Sequence, residues 1–255
     1  MKKKKENLMK SDYSIEKRSK SIFDQIEDKM WKSLITLGLI VLLFLWGGVP
    51  SVVVYLMGGN YQTISSNQKV ILSLINDILL VFILLLIYRK TIIADAKEFF
   101  NRDIFKHLWC SFRYWGIGLV IMVISNWIIA IFTNGTLAVN EQEVRKLIDS
   151  YPLYMAFQLI IYAPLTEELI FRKSIKDIQL PSSFYVFLSG FIFGGMHVVS
   201  SLESAIDFLY LIPYFSLGFV FAYLYQKTDN IFSTITAHAF HNALALMTYL
   251  LMVIK

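Results

Sequence analysis

Glu167 and Glu168 stand side by side in an apolar run, Leu159-Ile-Ile-Tyr-Ala-Pro-Leu-Thr-Glu-Glu-Leu-Ile-Phe171, with Arg172 one helical turn beyond Glu168. Ionised carboxylates at membrane depth are costly and usually face a protein interior or a water-filled cavity where they have a function. Two later hydrophobic segments carry their own polar groups, His197 in one and His238 with Asn242 in the other. Carboxylate, imidazole and amide gathered in a helix bundle can take a proton from water and hold an oxyanion. Glu168 and Arg172 share a helix face and can pair, whereas Glu167 points about 100° away and needs a donor from another helix. His238 and Asn242, four apart, also share a face, and both can donate into a cavity. His241 lies three residues from His238, so a metal site using both is open as well.

Each of these residues has a plainer reading. A helix end at the membrane interface accounts for Arg172 with Lys173 and Lys176, but poorly for two adjacent carboxylates. Interhelical polar contacts account for His238 and Asn242 as well as chemistry does when the pair is taken alone. Placement favours the chemical reading for His197. Glu167 and His197 are each 15 residues from Ser182, at the turn between their segments. Equal distances from the turn of an antiparallel hairpin put the two side chains at one height. Gly190, Gly194 and Gly195 give the His197 helix a thin face for close approach of a neighbour.

The elements that must position these groups are membrane helices. The 255-residue chain is 56% hydrophobic and 17% charged, with a mean hydropathy of +0.56. A soluble domain is about half apolar and about a quarter charged. The apolar excess falls in runs near the roughly 20 residues a helix needs to cross a bilayer. The expected fold class is an all-α polytopic membrane bundle with about seven spans. They run approximately Ser33–Met57, Val70–Tyr88, Phe112–Phe132, Leu153–Phe171, Phe184–Val199, Ile206–Tyr225 and Ile231–Ile254. Pro50 and Pro213 should kink the spans that hold them, and Thr91–Ser111 reads as an amphipathic surface helix.

Residues 1–32 form a basic tail with ten Lys or Arg, expected near anionic lipid, and residues 33–255 form the transmembrane domain. On this topology 20 of the 24 basic residues lie on the side of the N-terminus, which the positive-inside rule makes the cytoplasmic side. The net charge of +5 is therefore no nucleic-acid signal; the expected partners are membrane lipid and a peptide or membrane-protein substrate. The single cysteine, Cys110, can form no intramolecular disulfide. Asn134-Gly-Thr136 reads as a turn.

The chain has no His-Glu-x-x-His of a site-2 type metalloprotease, no Gly-x-Gly-Asp of a presenilin type protease and no Gly-x-Ser of a rhomboid. Instead Glu167-Glu-Leu-Ile-Phe-Arg172, Phe193-Gly-Gly-Met-His197 and His238-Ala-Phe-His-Asn242 resemble three signatures, Glu-Glu-x-x-x-Arg, Phe-x-x-x-His and His-x-x-x-Asn. These belong to the CPBP intramembrane protease family, also called the Abi or type II CAAX prenyl endopeptidase family. Three patterns in order on separate spans are specific, and the resemblance covers about residues 150–245.

The resemblance implies that Glu167 with His197 activates water and that His238 with Asn242 holds the oxyanion. Glu168 and Arg172 would brace the site, and exchanging their charges should then recover part of the stability lost on truncation. This mechanism requires no cofactor, although four residues able to ligate zinc leave a metal-dependent form open. The resemblance also implies an intramembrane endopeptidase acting in peptide pheromone or bacteriocin maturation, or in self-immunity, in a bacterial cytoplasmic membrane. The rivals are a non-catalytic scaffold or bacteriocin-immunity protein of the same fold, and a transporter using Asp77 and Glu167. Asp77 is expected to bond to a neighbouring helix. One conflict stands in the sequence: charge places Glu167 near the cytoplasmic half, while the polar Ser200–Ser204 run places His197 near the outer end.

Overall fold

The computed structural model describes residues 2–101, 104–199, 202 and 205–253, with side chains from residue 24 onward except that of residue 205. The side chains of the basic tail up to residue 23, the Arg102 position and most of the Ser200–Ser204 run lie outside the described residues. The described residues form helices and connecting turns, without strands. Their order is α1 (Lys2–Trp46), α2 (Val49–Leu56), α3 (Ser66–Ile87), α4 (Arg89–Asn101), α5 (Ile104–Phe132) and α6 (Val139–Ser150). A composite helix follows, made of α7 (Pro152–Phe157), a π-helical turn (Gln158–Tyr162), α8 (Ala163–Glu168), a second π-helical turn (Leu169–Ser174) and α9 (Ile175–Asp177). Then come α10 (Ser182–Val199), a 3₁₀ turn (Ala205–Tyr210), α11 (Leu211–Thr228) and α12 (Ile231–Val253). This is a polytopic all-α membrane bundle.

Six of the described helices are long and apolar enough to cross a bilayer, one fewer than the seven expected. The helix that drops out is α12, because Ser233, Thr234, Thr236, His238, His241 and Asn242 dilute its apolar character. It nevertheless runs the length of the bundle. Its first backbone N–H donates to Asp95 Oδ2 at 2.8 Å, and Tyr249 near its far end donates to Asp149 at 2.8 Å. Burial pushes the Asp95 carboxyl above the usual carboxylate range, and the Ile231 N–H offsets part of that rise.

Several boundaries move for identifiable reasons. Pro50 does not kink a long span; the chain breaks at Gly47–Gly48 and Pro50 sits in the first turn of α2, where its missing N–H costs nothing. Pro213 likewise falls in the first turn of α11. Within the expected surface helix Thr91–Ser111, residues 91–101 lie in α4 and Ile104 onward in the long α5. The composite helix continues past Phe171 to Asp177, so Glu167 is interior to it rather than at its end. That extension resolves the conflict in the sequence: Glu167 and His197 meet at one level of the bundle. Asn134 (φ 52) and Gly135 (φ 79) form a left-handed turn.

The tightest packing joins α10 to α11. A Cβ built on Gly190 would stand 2.7 Å from the Phe219 backbone nitrogen, and one on Gly194 would stand 2.9 Å from that of Phe215. Gly218 supplies the matching gap on α11, where a Cβ would stand 3.0 Å from the Gly190 carbonyl oxygen. Backbone cannot yield as a side chain tip can, so Gly190→Ala is expected to destabilise the protein by about 1–3 kcal/mol. Gly195, the third glycine of the expected thin face, meets nothing within 4 Å, and Gly195→Ala should melt like wild type. Thermal unfolding of the two variants in the same detergent checks the contrast. Equal melting points would sink this account of the packing.

Candidate active site

Pro164 sets the local geometry of the composite helix. A proline has no N–H to give to the preceding turn, and the backbone there widens to a π register, in which the Ala163 N–H bonds to the Gln158 carbonyl five residues back. In that register the Leu159 carbonyl would take the N–H of residue 164, which does not exist. Asn242 on α12 supplies the missing donor, its Nδ2 lying 2.8 Å from the Leu159 oxygen. One proline thus creates an orphan acceptor, and the amide of the third motif fills it with one of its two N–H groups.

Glu168 and Arg172 are both completely buried. Arg172 Nε donates to Glu168 Oε2 at 2.9 Å and Nη2 to Oε1 at 3.2 Å, a two-point pairing of fork and carboxylate. Arg172 Nη1 donates to Ser189 Oγ at 3.0 Å, and the guanidinium lies 4.7 Å from the centre of the Phe193 ring. Ser189 passes its own hydrogen to the Phe171 carbonyl at 2.6 Å. Glu168 Oε1 also accepts from His238 Nδ1 at 2.9 Å. The pair therefore holds the imidazole of α12 as well as itself. Burying two charges is tolerable only when their remaining hydrogen-bonding capacity is met, as it is here.

Glu167 points into a different environment. Its Oε2 is buried and has no hydrogen-bond partner among the described residues. It lies 3.9 Å from His197 Nε2 and 3.9 Å from His238 Nε2. His197 Nδ1 is 2.8 Å from the Phe193 carbonyl, which can only accept, so Nδ1 carries the proton. The His197 ring stacks on Tyr214 with centroids 4.8 Å apart. Both imidazoles are thus turned by a bond at Nδ1 so that Nε2 faces the same carboxylate oxygen.

These groups border two adjoining cavities, of about 340 and 320 Å³, which share His197, His238, His241 and Asn242 in their walls. Glu167 and Gln158 line the smaller one. Glu141 of α6 lines both, and its carboxylate accepts from Arg145 at 2.8 Å. His241 accepts from Trp115 Nε1 at 3.3 Å and so has a partner outside the central group. Asp77, buried on α3, accepts from Tyr154 at 3.0 Å and from Gln158 at 2.5 Å, bonds to a neighbouring helix of the kind expected.

Among the described residues no three His, Cys, Asp or Glu side chains stand close enough to hold an ion. Tetrahedral zinc with bonds of about 2.0–2.2 Å sets its ligand atoms about 3.4 Å apart. The 3.9 Å from Glu167 Oε2 to each Nε2 is wider than that, so these residues as they stand do not form a zinc site. The same gap suits one water bonded to both sides at about 2.8 Å.

The structure brings together Glu167, Glu168, Arg172, His197, His238 and Asn242 from three separate segments. Reasoning from sequence did not single out Ser189, Phe193 as the support of Arg172, Tyr214 or Trp115. Ser189, Phe193 and His197 carried a signal, since they recur every four residues and therefore line one face of α10. Tyr214 and Trp115 carried none, because their contacts depend on how α11 and α5 pack.

Comparison with known proteins agrees with this segment. Residues 149–244 match the family model described as "Type II CAAX prenyl endopeptidase Rce1-like". Over 123 residues the chain is 31% identical to the Bacillus subtilis (strain 168) protein named "Putative membrane peptidase YdiL". That match covers 47% of this chain and 47% of the relative, so the chain spans about half the length of the curated relative it matches. No solved structure matches. Residues 149–244, which carry all three motifs, are thus similar to the type II CAAX prenyl endopeptidase (CPBP) family.

Proposed function

We propose that this multi-pass membrane protein is an intramembrane endopeptidase that hydrolyses a peptide bond with a water activated by Glu167 and His197. The observation that carries this reading is the buried, unpartnered Glu167 Oε2 facing two imidazole Nε2 atoms at 3.9 Å on the wall of a cavity. A water in that gap gives one proton to Glu167 as its oxygen attacks the carbonyl carbon, and His197 orients it through Nε2. The carbonyl oxygen becomes an oxyanion. His238 donates to it from Nε2 when doubly protonated, and the charges of Glu167, Glu168, Arg172 and His238 then sum to zero before the attack. The second N–H of Asn242 is the other donor. Collapse of the tetrahedral intermediate breaks the C–N bond, and the proton held by Glu167 passes to the leaving amine.

The bundle end holding Lys173, Lys176 and Lys227 is the cytoplasmic end in this reading, by the positive-inside rule. The cavities, lined in part by α6, then open toward the outer face of a bacterial cytoplasmic membrane. Peptide pheromone or bacteriocin maturation, or self-immunity, is the substrate context, by analogy with the family. Peptidomics of membranes from cells lacking the gene, complemented with wild type or Glu167→Ala, tests the reading. Peptides restored only by wild type support it; identical peptide profiles from both complemented strains exclude it.

Activity of the purified protein is expected to survive exhaustive chelation, because the gap at Glu167 suits water better than zinc. Stoichiometric zinc in the purified protein, with activity lost on its removal and regained on its return, would replace the water mechanism with a metal one.

A further inference from the structure

A second polar cavity lies at the other end of the bundle, away from Glu167. Its volume is about 350 Å³, and it is lined by Glu98 of α4, Lys106, His107, Cys110 and Tyr114 of α5, and Lys227 and Thr228 of α11. Neither lysine has a carboxylate within ion-pair distance among the described residues, although Lys32, Lys146, Lys173 and Lys176 all do. Lys227 instead lies over the Tyr223 ring, 5.2 Å from its centre. His107 is fixed by its Nδ1, 2.9 Å from Ser233 Oγ, and Ser111 bonds to both backbone carbonyls, of His107 and of Ser233, at 2.8 Å. The ring therefore cannot swing away from the cavity without breaking a buried contact. Glu98, the one carboxylate of the wall, accepts from Asn230 Nδ2 at 3.4 Å, and the remaining polar groups of the wall can all donate.

The surroundings fix the depth of this cavity in a membrane. Phe100, Phe105 and Trp109 on α4 and α5 are exposed beside it, and the amphipathic α4 lies against the start of α5. Aromatic side chains interleaved with lysines mark the headgroup level of a bilayer, with acyl chains alongside the rings. Basic pockets between membrane helices at that level select anionic headgroups. We propose that this cavity binds the phosphate of an anionic phospholipid headgroup between Lys106 and Lys227, with the acyl chains along Phe105 and Trp109. Bound there, the lipid ties α4, α5 and α11 together at the end of the bundle remote from the catalytic groups. This assignment does not rest on the protease reading.

The test is equilibrium binding to the purified full-length protein in neutral detergent, with short-chain phosphatidylglycerol, short-chain phosphatidylcholine and inorganic phosphate as separate probes. Saturable binding of phosphatidylglycerol is expected, with the other two much weaker. Each lysine is worth about 1 kcal/mol against an anionic headgroup, so Lys106→Ala with Lys227→Ala should weaken binding on the order of 30-fold and Lys227→Gln alone about 5-fold. Lys90→Ala with Lys97→Ala removes the same charge from exposed positions outside the cavity and should leave binding unchanged. Unaltered phosphatidylglycerol binding in the Lys106/Lys227 double variant, or equal loss in the Lys90/Lys97 control, overturns the site. Inorganic phosphate binding as tightly as the lipid overturns the assignment to a headgroup.

Discussion

Glu167→Ala is expected to lower substrate processing by about 10²–10⁴-fold, the usual cost of losing a positioned general base, at unchanged protein level in the membrane. His197→Ala should fall in the same range, because His197 holds the attacking water from its other side. The structure explains why folding should survive both changes. Glu167 Oε2 has no hydrogen-bond partner to lose among the described residues, and its side chain retains 18% exposure. His197 is 21% exposed, and its Nδ1 bond goes to a backbone carbonyl within its own helix. The measurement is product formation per mole of protein, with melting curves for both variants. Turnover near wild type in either, at matched expression, would remove Glu167 and His197 from the chemistry.

Arg172→Ala should act in the opposite sense, through the fold first. Removing it leaves the fully buried Glu168 with His238 as its remaining side-chain partner among the described residues and takes away the donor that Ser189 Oγ accepts from. An uncompensated buried charge of this kind costs on the order of 3–5 kcal/mol. Both melting temperature and activity are therefore expected to drop. His238→Ala leaves the Glu168–Arg172 pairing intact and should lower activity with a much smaller stability loss. Melting of Arg172→Ala indistinguishable from wild type would show that the buried network is not formed in the membrane protein.

The charge-reversed double variant separates two views of this pair. From their spacing alone, Glu168→Arg with Arg172→Glu should recover part of the lost stability. The structure changes that expectation. A guanidinium at 168 would meet a donor at His238 Nδ1, and a carboxylate at 172 would lie over the negative face of Phe193. Little recovery is expected, because a doubly protonated His238 and the face of the Phe193 ring both favour the native order of charges.

Much of this was legible in the chain itself. Apolar runs near bilayer length declare helices, since a backbone in lipid must satisfy its own hydrogen bonds. The pairing of Glu168 with Arg172 follows from helical periodicity, and the level of Glu167 against His197 follows from counting to the turn at Ser182. Three polar patterns in order on separate apolar segments were enough to name a family. These are local or one-dimensional facts, fixed by spacing along a single helix or hairpin.

Tertiary structure decided the rest. That Glu168 rather than a backbone group orients His238 depends on where α12 crosses the composite helix, 70 residues away in sequence. That Asn242 serves the Leu159 carbonyl depends on a π register, which Pro164 permits but does not by itself announce. Gly190 and Gly194 needed Gly218 on another helix before their missing side chains meant close packing, while Gly195, one residue on, meets open space. Seven apolar runs became six because α12 gave up apolar surface to carry His238, His241 and Asn242. In each case the deciding contact joins residues whose spacing along the chain carries no periodic signal, so only the packed bundle could reveal it.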